Sequence, residues 1–182
     1  MKFAQFAVPA VAALIVLAGG TAVSPAHAEG ALDIGTKVPD AKAIKEGLFP
    51  EDACKELEAS GFKCMGFKPA IRYSLPASSF QLGSAEVPAS LKRQLDVFAE
   101  VLKSKKGSGN VVKIEGHADA SGSADANLVL SQRRADAVKS YLVEQGVDAS
   151  LLASVGVGTK DLKNASNPFS GENRRVEIGR QN

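Results

Sequence analysis

The chain has 182 residues, 23% of them charged, and 22 Lys and Arg against 20 Asp and Glu leave a formal net charge of +2. So even a balance supplies no bulk field for holding a nucleic-acid backbone, and 5% aromatics with no Trp leave no stacking platform for single strands. The length suits one ordinary domain with an extension.

Residues 1–28 read as a secretory signal peptide. Lys2 is its single charge, residues 6–18 are an apolar run that holds Pro9, and small residues lead to Ala26-His27-Ala28. A membrane-spanning helix needs about 20 apolar residues, so the run is too short to be retained as an anchor. Cleavage after Ala28 is expected. The mature chain then has no transmembrane span, and no Cys lies near the cut to carry a lipid.

Residues 29–40 carry turn formers without periodicity and read as a flexible lead. Phe49-Pro50-Glu51-Asp52 looks like a helix start, with Pro early and acids in the first turn. That helix is expected to run to about Ser60 and stop at Gly61, followed by a short strand over 62–67. The only two cysteines, Cys54 and Cys64, both lie in the exported part, where an isolated pair forms a disulfide. Metal binding by two thiols would need further ligands. His27 leaves with the signal and His117 is far along the chain, so neither a metal nor a cofactor is expected. Residues 29–76 thus read as a small stapled segment, with residues 77–182 as the main domain.

The main domain begins with a strand over 78–82, where Phe80 and Leu82 alternate. Leu91, Leu95, Phe98, Ala99 and Leu102 recur at helical spacing within 88–103. Val111, Val112 and Ile114 form a buried strand running into Gly116-His117-Ala118-Asp119. A Gly- and Ser-containing turn leads to a long helix over 124–145. A strand over 151–157, a polar loop over 161–173 and a last strand over 175–178 complete the order. This is an α/β (α+β) pattern, a βαβαβ-β sheet covered by helices and joined by parallel crossovers.

On the long helix, at about 3.6 residues per turn, Leu130, Ala137, Val138, Tyr141 and Leu142 share one stripe. Arg134 falls in its middle, Asn127 and Ser131 at its N-terminal end, and Arg133 on the solvent flank. A buried arginine needs a partner. Two partners are open: a structural carboxylate such as Asp119, or an anionic ligand in a cleft. Asp119 follows a buried strand, where an α/β sheet places its ligand crevice. Asp119, Asn127 and Arg134 can therefore meet at one end of the sheet. A carboxylate beside a guanidinium suits a zwitterion such as an amino-acid head group.

Gly116-His117-Ala118-Asp119-Ala120-Ser121-Gly122, then Asn127 and Leu130-Ser131-Gln132-Arg133-Arg134-Ala135, resembles the G-H-T-D-x-x-G, N-x-x-L-S-x-x-R-A signature of the OmpA-like C-terminal domain. Asn173-Arg174-Arg175-Val176-Glu177-Ile178 is similar to that family's closing N-R-R-V-E-I, and Phe80-Gln81-Leu82-Gly83-Ser84-Ala85 to its F-D-F-D-S-A. The resemblance implies noncovalent binding of peptidoglycan through the diaminopimelate of its stem peptide, in the periplasm at the cell wall or outer membrane. It assigns the ligand ammonium to Asp119 and the carboxylate to Arg134. Asn127 and Arg174 add hydrogen bonds, and the backbone near Ala118 lines the cleft; Arg175 is the weaker neighbour. The departures are Ala118 for Thr and Gln81 and Gly83 for two acids.

Two further functions compete. No G-x-S-x-G elbow surrounds Ser121 or Ser131 and no H-E-x-x-H set is present, so a hydrolase is not expected. An assembly role, with an envelope protein docked on residues 29–76, is compatible with wall binding.

Overall fold

The computed structural model describes residues 30–66, 68–76 and 80–181; the expected signal peptide lies outside them. In chain order the elements are β1 (Leu32–Asp33), α1 (Ala41–Leu48), α2 (Glu51–Ala59), β2 (Tyr73–Leu75), α3 (Ala89–Lys103), β3 (Val112–His117), α4 (Ala124–Glu144), β4 (Leu152–Gly158) and β5 (Val176–Arg180). The five strands make one sheet in the order β1-β2-β5-β3-β4. β3 and β4 are parallel, and β5 runs antiparallel to both β2 and β3.

The expected strand–helix alternation is present, with its first strand placed earlier. Tyr73–Leu75 pairs with β5. The described part of the expected strand, Phe80 to Leu82, enters a turn in which the Ser84 amide donates to the Gln81 carbonyl and Gly83 takes φ 72°. Its carbonyls are drawn to Arg134 and serve no ladder.

The helices cover one face. Leu91, Leu95, Phe98 and Leu102 of α3 and Val138 and Leu142 of α4 are fully buried against Val112, Ile114, Val176 and Ile178. Burial of one such side chain contributes roughly 1.5–3 kcal/mol. Gly116 and Gly156 let α4 approach the strands. A Cβ at Gly116 would lie 2.0 Å from the Ser131 carbonyl oxygen, and one at Gly156 would lie 2.5 Å from the Gln132 nitrogen. Ser131 Oγ donates to the Leu128 carbonyl and accepts from the Gly158 amide at 2.9 Å, pinning the helix to the end of β4.

Upstream of residue 77 the sequence understates the order. The expected flexible lead contains β1, which pairs with β2, and Asp40 caps α1 by accepting from the Ala43 amide at 3.0 Å. Ile44 and Leu48 of α1 enter the main core. The helix expected from Pro50 is α2, and Cys54 and Cys64 are disulfide-bonded. Phe62 to Gly66, however, form no strand.

Candidate functional site

α4 begins beside the end of β3, capped by Ser123, whose hydroxyl accepts from the Ala126 amide. This start, the loop after β3, the turn at residues 81–84 and Arg174 before β5 enclose a cleft of about 350 Å³. Ala118, Asp119, Asn127, Arg134 and Arg174 all line it, with Leu82 and Leu130 as its apolar part. The expected residues therefore do converge. A larger hollow along α4 and β4, lined by Asp136, Lys139 and Glu144 among others, has no buried residue in its wall.

The pairing within the cleft differs from the carboxylate partner expected for Arg134. Asp119, 4% exposed, accepts from Arg174 Nη1 at 2.6 Å and from the Ser121 amide at 2.9 Å. Burial pushes its carboxyl pKa up, but these two donors outweigh that and hold it below the ordinary value. Arg134 is fully buried and forms no ion pair with Asp119. Its Nε donates to the Ser84 carbonyl at 2.9 Å, its Nη2 to the Gln81 carbonyl at 3.2 Å, and its guanidinium stacks 5.1 Å from the Phe80 ring centroid. Burial and the neighbouring Arg174 lower its pKa, against the opposing pull of Asp119.

Three buried donors on residues that line this cleft have no partner among the described residues: Arg134 Nη1, Arg174 Nε and Asn127 Nδ2. An unmet buried donor costs about 1–3 kcal/mol, so three of them on the residues around one cleft suit it to an acceptor-rich group. The Ala118 amide is spent on the Gly158 carbonyl, so only the rest of that residue faces the cleft.

His117 and Arg175 belong to the other face of the sheet, as strand alternation requires. Both donate toward the Asp161 carbonyl, His117 through Nδ1 at 3.3 Å and Arg175 through Nη1 at 3.1 Å. Arg175 Nε also holds Glu177 at 2.7 Å, and Arg72 lies 3.0 Å from the same carboxylate. His117, Asp161 and Glu177 are close enough to share an ion. Two guanidiniums already neutralise Glu177, which makes the cluster a poor cation site. Burial and then Arg175 lower the His117 pKa. The cluster ties the exit of β4 to the residues that precede Asp119 and follow Arg174.

The cradle of Arg134 was not legible in side-chain types, because its acceptors are backbone carbonyls. The one available signal was Gly83, whose φ of 72° turns the chain so that the Gln81 and Ser84 carbonyls face the guanidinium.

Fold and cleft together define a helix-covered mixed-sheet domain with a cation-rich cleft at its strand ends. The OmpA family profile matches residues 79–175, more than half of the chain, and the chain belongs to the OmpA family. The peptidoglycan-associated lipoprotein of Pseudomonas aeruginosa is 40% identical over 101 residues, 54% of this chain and 58% of that protein. The peptidoglycan-binding protein ArfA of Mycobacterium bovis is 32% identical over 164 residues, 87% of this chain and 49% of that protein. That second likeness runs well upstream of the family match. The chain spans about half the length of the curated relatives it matches. Among solved structures, the peptidoglycan-associated lipoprotein from Burkholderia pseudomallei matches with TM-score 0.52 and 27% identity, over 59% of this chain and 89% of that one. No described helix is long and apolar enough to cross a membrane.

Proposed function

We propose that the cleft binds peptidoglycan noncovalently through the diaminopimelate of its stem peptide. On this reading the exported protein is a binding module held at the cell wall. The observation that carries it is the set of three unpartnered donors around one carboxylate, Asp119. Arg134 Nη1 and Asn127 Nδ2 take the ligand carboxylate, Arg174 bridges it to Asp119, and Asp119 accepts from the ligand ammonium. Two relatives, a peptidoglycan-associated lipoprotein and a peptidoglycan-binding protein, support the same ligand. The chemistry is that of a receptor. The imidazole next to the motif's acid, His117, is turned to the opposite face, away from the cleft. Docking of an envelope partner on residues 29–76 fits the exposed Phe62 and Met65 beside the disulfide.

Co-sedimentation with purified sacculi tests the reading. Loss of one charge-assisted contact is expected to remove about 1.5–3 kcal/mol, roughly tenfold to over a hundredfold in affinity. Asp119→Ala and Arg134→Ala should therefore stay largely in the supernatant. Arg133→Ala, on the exposed flank of α4, should pellet like the wild type. Sedimentation of Arg134→Ala at the wild-type level, or release of muropeptides by the purified protein, would overturn the assignment.

A further inference from the structure

We infer that the cleft selects its ligand by the free carboxylate more than by the ammonium, so that it discriminates against amidated stems and tolerates cross-linked ones. This rests on the reading of the cleft as the diaminopimelate site and adds to it a rule of selectivity.

The lining side chains contribute two cations, Arg134 and Arg174, against one anion, Asp119. Gln81 and Gly83 at the adjoining turn are neutral, so nothing there restores the balance. Every orphaned group in the cleft is a donor: Arg134 Nη1, Arg174 Nε and Asn127 Nδ2. No buried side-chain acceptor among the described lining residues lacks a partner. Asp119, the group left to meet an ammonium, already receives Arg174 on one oxygen and the Ser121 amide on the other.

A carboxylate therefore supplies what the cleft lacks, namely negative charge and several lone pairs. Conversion to a carboxamide removes the charge from a cleft that holds two cations and one anion, and replaces an acceptor oxygen with an NH₂ group that cannot accept from the three N–H donors. Acylation of the ammonium, as in a cross-linked stem, removes a cation whose partner Asp119 keeps Arg174 and the Ser121 amide as donors. The two modifications have unequal effects. The protein thus reads the amidation state of the wall and is largely blind to its cross-linking.

The test is calorimetric titration of the exported full chain with three synthetic tripeptides of L-Ala-γ-D-Glu-meso-diaminopimelate. One is free, one is amidated at the side-chain carboxyl, and one is acetylated at the side-chain amine. Amidation is expected to weaken binding by about tenfold or more, the scale of one charge-assisted contact, and acetylation by clearly less. Asn127→Asp, which replaces a donor with an acceptor, should narrow the gap between free and amidated peptides, with thermal melting as the check on its fold. Equal losses, or a larger loss on acetylation, overturn the selectivity and leave the diaminopimelate site standing. An unchanged gap in Asn127→Asp removes that residue's part in the selection. Failure of the free tripeptide to bind at all sinks the site itself and the selectivity with it.

Discussion

Arg134 shows how one side chain serves fold and site together. Two of its nitrogens are held by the Ser84 and Gln81 carbonyls and its guanidinium lies over Phe80, while the third nitrogen is buried without a partner on a residue that lines the cleft. A methionine at this position keeps the volume but strands two carbonyls. Arg134→Met is therefore expected to lower unfolding stability by about 1–3 kcal/mol in urea titration, while Arg133→Ala stays within about 0.5 kcal/mol. An unchanged midpoint for Arg134→Met would mean that the turn at residues 81–84 does not depend on the guanidinium. The stripe on the helical wheel predicted that Arg134 is buried and Arg133 exposed. It left the partner open, because a wheel contains no information about carbonyls fifty residues upstream.

At the scale of elements, α4 sets the site by where it rests. Ser131 and Gln132 of α4 lie against Gly116 of β3 and Gly156 of β4, and this approach brings Asn127 and Arg134 level with Asp119. Gly116→Ala would drive a methyl into the Ser131 carbonyl, which is backbone and cannot swing aside. The expected cost is about 1–3 kcal/mol, together with weakened sacculus binding as the helix start is lifted. Wild-type melting and binding in this variant would show that the approach is looser than the geometry states. α3, β3, α4 and β4 were all legible from periodicity to within a residue or two. α1 was not recognised, although Asp40 followed by Ala41, Ile44 and Leu48 carries a cap and helical spacing. β1 left almost no signal, since two residues paired only on one side need no pattern.

For the whole molecule the buried charges govern the response to acid. His117 has a folded pKa below its ordinary value near 6.5, because burial and Arg175 oppose its protonation. The unfolded chain therefore takes up this proton first. The stability from neutral His117 is fully present above about pH 6.5 and falls as the pH drops from there toward the folded pKa. Glu115 and Asp119 have depressed carboxyl pKa values, so their contributions are present above their ordinary values of 4.5 and 3.8 and are lost below them. Stability should thus decline in two stages on acidification. His117→Asn keeps a donor for the Asp161 carbonyl but cannot take up a proton, and should abolish the upper stage. Urea midpoints at pH 7.5 and 5.5 measure this, and an equal decline in the variant would exclude His117 as the cause.

The amino-acid sequence by itself determined the order of the main elements, the disulfide pair and the set of residues gathered at the cleft. These follow from periodicity, cysteine count and, for Ala118 and Arg174, the family resemblance, all of which are read along the chain. The tertiary structure decided what each charge faces. Asp119 pairs with Arg174 and not with Arg134, because Arg174 enters from the loop before β5 at the same strand end. It also decided that residues upstream of position 77 complete the sheet. β5 lies between β2 and β3, and its antiparallel insertion there brings Tyr73–Leu75 and then β1 into one ladder. Hydrogen bonds between distant backbones depend on which strands become neighbours, and that is settled only when the core closes.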